Sequence, residues 1–190
     1  METIGALARL TLKTPIGALR LAATGQGLCQ ILFPRRRAAD TSPEAPAAPP
    51  DRAASAAARR HLEEAVSQLS EYFRGHRKEF PLSLDLHGTP HQLQVWRALL
   101  EIPYGSTSTY GALARKLGSI HGARAVGRGC ATNPIPVIVP CHRVLSGAGS
   151  LQGFGGGLWR KRALLDLEQG QVLRLPFPGS SASATSTRSR

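Results

Sequence analysis

"NPIPVIVPCHRVL", residues 133–145, sets a cysteine, a histidine and an arginine side by side after an apolar run broken by prolines. Two readings compete for Cys141. In one it is a buried thiol packed behind a strand, since a free cysteine behaves as a small hydrophobe. In the other it is a nucleophile. An ordinary thiol is mostly protonated at neutral pH, and a neighbouring imidazole, guanidinium or helix N-terminus lowers its pKa by about one to several units. His142 and Arg143 supply such neighbours. Adjacent side chains of a strand point to opposite faces, so Cys141 and His142 meet only on a turn or at a helix start, which Pro140 favours. A histidine base also needs an orienting partner. The acids in this half are Glu101, Asp166 and Glu168, and Glu168, at the end of the last predicted helix, is the candidate. A zinc site from His121, Cys130, Cys141 and His142 is a third reading, weakened because no two cysteines have ligand spacing.

Working outward, "SGAGSLQGFGGG" after the motif is a glycine-rich loop carrying Phe154, and it reads as the lining of a site. Its glycines are a weak phosphate signal, because the loop does not follow a strand in a βαβ unit. "LWRKRALLDLE" reads as a closing helix with Leu158, Leu164, Leu165 and Leu167 inward. Upstream, "GTPHQLQVWRALL" opens a helix with Thr89 as N-cap and Pro90 at its first position; Leu93, Trp96 and Leu100 form its apolar stripe. "STSTYGALARKLG" follows, with Ser108 as cap, Leu113 and Leu117 stacked, and Gly118 as stop. After a break at "SIH", "GARAVGRGCATN" reads as a helix of small residues with Ala123, Val126 and Cys130 inward. Two short helices joined by such a turn have a helix-turn-helix layout. Gly122, Gly127 and Gly129 keep the second helix low enough to approach a backbone closely.

The first half reads as β then α. "LARLTLK", "TPIGALRLAAT" and "GLCQILFP" predict a meander of short strands. Residues 38–56, rich in Ala and Pro, read as a mobile loop. In "AARRHLEEAVSQLSEYFRG", Leu62, Val66, Leu69 and Phe73 mark one helix face ending at Gly75. "EFPLSLDL" reads as extended, a candidate edge strand. The expected fold class is α+β. Residues 1–87 form a small sheet-and-helix domain, residues 88–175 a mainly helical domain, and residues 176–190 a disordered tail.

The chain of 190 residues carries a net charge of +12. Residues 88–175 hold ten basic and three acidic side chains, net +7, against net +3 over residues 1–87. The second half is thus the face for a polyanion such as nucleic acid, although scattered solvated arginines would give the same totals. No stretch reaches the roughly 18–20 apolar residues of a membrane span. The N-terminus lacks the basic start and apolar core of a secretory signal. Cys29, Cys130 and Cys141 are odd in number and at no paired spacing, which argues for a reducing, cytoplasmic compartment.

"NPIPVIVPCHRVL", with "GARAVG" before it and "GGLWRKRALLDLE" after it, resembles the O6-alkylguanine-DNA alkyltransferases (methylated-DNA–protein-cysteine methyltransferases). The resemblance is close over about residues 89–168 and looser before, where "TPIGALRLAAT" and "LSEYFRGHRKEFPL" are in the family's style. It implies a ribonuclease-H-like N-terminal domain and a helix-turn-helix that enters the minor groove. It implies that Cys141 is the alkyl acceptor, that His142 removes its proton through a water, and that Glu168 orients His142. By the same resemblance, Asn133 holds the helix-turn-helix against the site, Tyr110 approaches a flipped nucleotide, and Arg124 fills the gap left in the duplex. The small residues Ala123 and Gly127 face DNA, with Arg143 also assigned to the substrate side. The Val144 backbone, Phe154 and Gly155 line the guanine pocket.

The implied reaction is a single-turnover transfer from O6-alkylguanine, with O4-alkylthymine a further candidate, in double-stranded DNA. It needs no cofactor and no metal, and the protein acts as a monomer, with cooperative binding along DNA left open. O6 of a paired guanine lies within the stack, so the base must leave it before a sulfur can reach the alkyl carbon. The chain departs from the family at His91, where an aromatic is common, at Phe154, where many relatives carry Tyr, and at Cys130. Alternatives are a non-catalytic alkylated-DNA-binding protein, a helix-turn-helix regulator, and a cysteine hydrolase. The regulator leaves Cys-His-Arg and the glycine-rich loop unexplained.

Overall fold

The computed structural model describes residues 7–33, 54–118 and 122–171. The chain opens with three antiparallel strands in chain order, β1 (Ala8–Thr14), β2 (Gly17–Ala23) and β3 (Leu28–Leu32). Tight turns join them, so pairing is local: Leu12 faces Leu19, and Leu21 faces both Leu10 and Ile31. Helix α1 (Ala56–Phe73) packs on this meander, capped by Ser55, whose side chain accepts from the Ala58 amide at 3.1 Å. Its buried face runs through Ala58, Leu62, Ala65, Leu69, Tyr72 and Phe73, with Val66 half-buried. Apart from Ala54, Ser55 and Ala56, the loop expected at 38–56 lies outside the described residues, as do the tail and the "SIH" break.

The expected edge strand reduces to one parallel bridge between Leu28 and Leu84. Backbone bonds Leu28 N to Ser83 O and Asp85 N to Leu28 O, both 2.9 Å, hold that bridge. Pro81 just upstream has no N–H to extend a ladder in that direction.

Helix α2 (Pro90–Leu100) begins at a capping box in which Thr89 and Gln92 satisfy each other's amides. Its Trp96 is buried and donates Nε1–H to Gly129 O at 2.9 Å, while Leu100 is exposed and Leu99 takes its expected inward place. Strand β4 (Ser108–Thr109) pairs in parallel with β5 (Val144–Leu145), so Ser108 is ladder residue rather than cap. Thr109 caps helix α3 (Tyr110–Lys116) instead, accepting from the Ala112 amide at 3.1 Å. Helix α4 (Gly122–Ala131) packs on α3 and α2 and buries Ala125, Val126, Gly129 and Cys130; Ala123, expected inward, is exposed. A Cβ on Gly129 would lie 2.9 Å from Val95 Cγ1. That glycine serves the α2–α4 contact, not an approach to a nucleic-acid backbone.

The "NPIPVIVP" run is not a strand. It turns at Val137, whose φ of 79° is an unusual conformation for a β-branched residue. Residues Ile135, Val137, Ile138 and Val139 are all buried. A 3-10 turn (Cys141–Arg143) follows, then β5 and the closing helix α5 (Leu158–Glu168). In α5 the inward stripe is Lys161, Leu164, Leu165 and Glu168, whereas Leu158 is 48% exposed and points away from the expected face.

The two halves share one continuous apolar core, running from Leu19, Leu28 and Leu69 to Val95, Trp96 and Leu164. Polar bonds cross between them as well. Ile31 N donates to Pro134 O at 2.8 Å, and Arg160 Nε donates to Ile16 O at 2.7 Å.

Candidate active site

The 3-10 turn answers the problem of adjacent side chains. Cys141 and His142 sit on a tight turn rather than a strand, so they need not face opposite ways. Both are buried, His142 completely. The Cys141 amide donates to Val139 O at 2.8 Å, and Asn133 ties the turn to its lead-in. Asn133 Nδ2 donates to Val139 O at 2.7 Å and to Cys141 Sγ at 3.2 Å, while its Oδ1 accepts from Ile135 N at 3.0 Å. Asn133 thus touches the sulfur itself, beyond the bracing role expected of it.

Behind the turn lies a buried charge cluster. Glu168 Oε1 is 2.9 Å from His142 Nε2 and accepts from Arg143 Nη2 and Tyr72 Oη, both at 2.8 Å. Glu168 Oε2 accepts from Arg143 Nε at 2.9 Å and from the Gly105 amide at 3.2 Å. Burial pushes the Glu168 carboxyl up, but the hydrogen bonds and charges of His142 and Arg143 outweigh it and hold the group at about 2. An ionised Glu168 accepts Nε2–H, which fixes the imidazole tautomer and leaves Nδ1 as a lone-pair acceptor. Nδ1 is buried with no protein partner. Burial holds His142 below its ordinary value, against the opposing pull of Glu168.

Burial also holds the Cys141 thiol above its ordinary value, so at rest it is protonated; the Asn133 hydrogen bond and the Lys161 charge act in the other direction. Lys161 is fully buried, and Nζ donates to Val144 O at 2.6 Å and to Gln152 O at 2.7 Å. It ties β5 to the glycine-rich loop and puts a cation near the sulfur. The ring of Tyr110 lies 5.8 Å from the same nitrogen.

Cys141 lines a cavity of about 540 Å³. Tyr110, Ala123, Arg124, Gly127, Cys130 and Ala131 form one side, and Gln152, Gly153, Phe154 and Gly155 the other. Arg124 is exposed, so a charged guanidinium stands where the cavity meets solvent. Tyr110 Oη donates to Gln152 O at 3.2 Å, and burial pushes its phenol up to about 12. Cys130, likewise raised to about 12 by burial, faces the same space as a protonated thiol.

The structure therefore brings Cys141, Tyr110, Ala123, Arg124, Gly127, Phe154 and Gly155 to one cavity, with His142, Glu168 and Asn133 directly behind. Two expected residues are not in its walls. Arg143 turns inward, spent on Glu168 and the Ile102 carbonyl, so it does not face a ligand. Val144 is buried in β5 with its carbonyl taken by Lys161. Sequence reasoning missed Lys161 and Tyr72. The signal for Lys161 was helical spacing: residues 161, 164, 165 and 168 form one stripe. Among the described residues no group of three or more His, Cys, Asp or Glu is arranged to hold a metal ion. No described helix is long and apolar enough to cross a membrane.

Comparison with known proteins converges on one family. Residues 90–170 match the "6-O-methylguanine DNA methyltransferase, DNA binding domain" and residues 8–86 the "6-O-methylguanine DNA methyltransferase, ribonuclease-like domain". The chain is 45% identical over 162 residues to a methylated-DNA--protein-cysteine methyltransferase of Mycobacterium tuberculosis, covering 85% of this chain and 92% of that protein. A protein of the same name from Methanosarcina acetivorans is 39% identical over 156 residues, 82% of this chain and 94% of the other. The crystal structure of Mycobacterium tuberculosis OGT in complex with DNA superposes with a TM-score of 0.69 at 42% identity, covering 84% of this chain and 91% of that one. With both family models matched across the sheet and the helical half alike, the chain belongs to the 6-O-methylguanine DNA methyltransferase family.

Proposed function

We propose that the protein repairs alkylated DNA by direct reversal, with Cys141 taking the alkyl group from O6 of guanine in double-stranded DNA once per molecule. The observation that carries this reading is a buried Cys141 lining a cavity edged by exposed Arg124, with the His142–Glu168 pair behind it.

The thiol proton passes through a water to His142 Nδ1, the acceptor left free by the Nε2–Glu168 bond. The Asn133 amide and the Lys161 ammonium favour the sulfur as negative charge develops on it. The S–C bond forms as the C–O6 bond breaks, its electron pair stays on the guanine anion, and the proton held by His142 returns through the water to leave neutral guanine and a neutral imidazole. The product is a thioether, which nothing in the cavity can hydrolyse, so turnover stops at one. No cofactor is required.

Delivery of the base falls to the second half. In this reading residues 88–175 are the DNA-binding domain, α3 and α4 act as a helix-turn-helix at the minor groove, and residues 1–87 form a ribonuclease-H-like domain. Arg124 occupies the gap left by the extruded nucleotide, Ala123 and Gly127 keep α4 low beside the sugar-phosphate backbone, and Tyr110, Phe154 and Gly155 close on the guanine. The protein acts as a monomer, and its three free cysteines suit the reducing cytoplasm.

The test is incubation with a duplex carrying O6-methylguanine, followed by mass spectrometry. A single added methyl on the peptide bearing Cys141 supports the transfer; unmodified protein that merely retards the duplex in a gel overturns it in favour of a binding-only protein. Cys141→Ala should keep duplex binding while transfer is abolished. Arg124→Ala should slow transfer from duplex more than from free O6-methylguanine, and equal slowing would remove its role in extrusion.

A further inference from the structure

We propose that Tyr72, from α1 of the first half, is a positioning residue of the acceptor site: its phenol fixes the Glu168 carboxylate that orients His142. The inference rests on the alkyl-transfer reading and extends it to the ribonuclease-like half. Tyr72 is fully buried, and Oη donates to Glu168 Oε1 at 2.8 Å, the same oxygen that His142 Nε2 meets at 2.9 Å. The bond spans 96 positions in sequence and joins the last turn of α1 to the last residue of α5.

The geometry separates this bond from ordinary core packing. The ring is gripped on three sides, by Phe73 at 5.2 Å, Phe80 at 5.3 Å and Tyr104 at 6.1 Å between centroids. A hydroxyl on so constrained a ring has one place to go, and it meets the one oxygen that also orients the histidine. The charged and titratable groups facing this cluster are Tyr72 from α1, Tyr104 from the loop after α2, Cys141, His142 and Arg143 from the 3-10 turn, and Lys161 and Glu168 from α5. Among the described residues, Tyr72 is the one member in hydrogen-bond contact with Glu168 that comes from the first half. Its phenol is held well above its ordinary value, chiefly by burial and then by the Glu168 charge, so it stays a donor across the working range.

Two consequences follow from removing the hydroxyl. Glu168 loses one of the bonds that set the angle of its carboxylate, so His142 is held less well. Oε1 also has one donor fewer to share its charge, so it accepts more strongly from His142 Nε2–H and stabilises the imidazolium. The base then needs a higher pH to be neutral.

The experiment compares wild type, Tyr72→Phe and Phe80→Leu in single-turnover methyl transfer across pH, with duplex affinity and thermal unfolding measured on the same preparations. For Tyr72→Phe, transfer should slow about tenfold with duplex affinity unchanged. The rising limb of its pH–rate profile should move about half a unit to higher pH, the size expected of one hydrogen bond. Phe80→Leu loosens the packing but keeps the hydroxyl, and should lower stability without moving that limb. An unmoved limb in Tyr72→Phe, or one that moves equally in Phe80→Leu, overturns the assignment and leaves Tyr72 a packing residue. If wild type itself transfers no methyl group, the alkyl-transfer reading has failed rather than the role of Tyr72.

Discussion

Glu168 concentrates the chemistry of the site in one side chain. It sits where burial alone would neutralise it, and stays ionised because Arg143 grips both oxygens while His142, Tyr72 and the Gly105 amide take the remaining directions. The stability it contributes has a definite pH window. A carboxyl at about 2 in the fold, against an ordinary 4.5, contributes fully above 4.5, and that contribution is lost as pH falls through about 2. His142 acts earlier: a base held below its ordinary 6.5 by burial weakens the fold as pH falls below that value, because the unfolded chain takes up the proton first. Denaturant midpoints measured against pH should therefore fall in two stages. Glu168→Gln should abolish the lower stage and, by leaving Arg143 buried without its anion, cost about 3–5 kcal/mol at neutral pH.

At the scale of elements, α4 works on two faces with different demands. Its inner face must lie close to α2, and Gly129 permits that, with Val95 against it and the Trp96 indole on its carbonyl. Its outer face, Ala123, Arg124 and Gly127, borders the cavity. Gly129→Ala should cost about 1–3 kcal/mol by overpacking, and combining it with Val95→Ala should cost less than the two single losses added together. A loss in the double variant equal to the sum of the two single losses, read by chemical denaturation, would show that the two residues do not press on each other. The opposite wall of the cavity is held from behind. The Phe33 ring lies 5.5 Å from Phe154, a Cβ on Gly156 would come within 2.8 Å of Phe33, and Arg160 bonds both Ile16 O and Gly156 O. The glycine-rich loop is thus pinned to the sheet at one end and to Lys161 at the other.

At the scale of the molecule, the sheet half is packed against the elements that hold Cys141, His142 and Glu168 rather than standing apart from them. The shared core, the β3 bond to Pro134, the Arg160 clamp and the Tyr72–Glu168 bond make the halves one energetic unit. Calorimetry should show a single cooperative transition, its calorimetric and van't Hoff enthalpies agreeing; two resolved transitions would separate the halves.

Much of this was legible in the residues. Alternation marked the three strands and Thr89-Pro90 marked the start of α2, because local periodicity and caps are written in neighbouring positions; the spacing around Cys141 left a buried thiol and a nucleophile both open, and only the resemblance of Pro-Cys-His-Arg to a family's motif favoured the second. Leu100, Ala123 and Leu158 were assigned to the wrong faces, since helices this short carry too few apolar positions to fix their rotation. What only the tertiary structure decided were the pairings across long separations. Tyr72 meeting Glu168, Lys161 reaching Val144 and Gln152, Arg143 turned inward, and Gly129 spent on Val95 all depend on how elements dock. A buried charge or hydroxyl takes its role from the partner that docking supplies, and no spacing within a single segment encodes that partner.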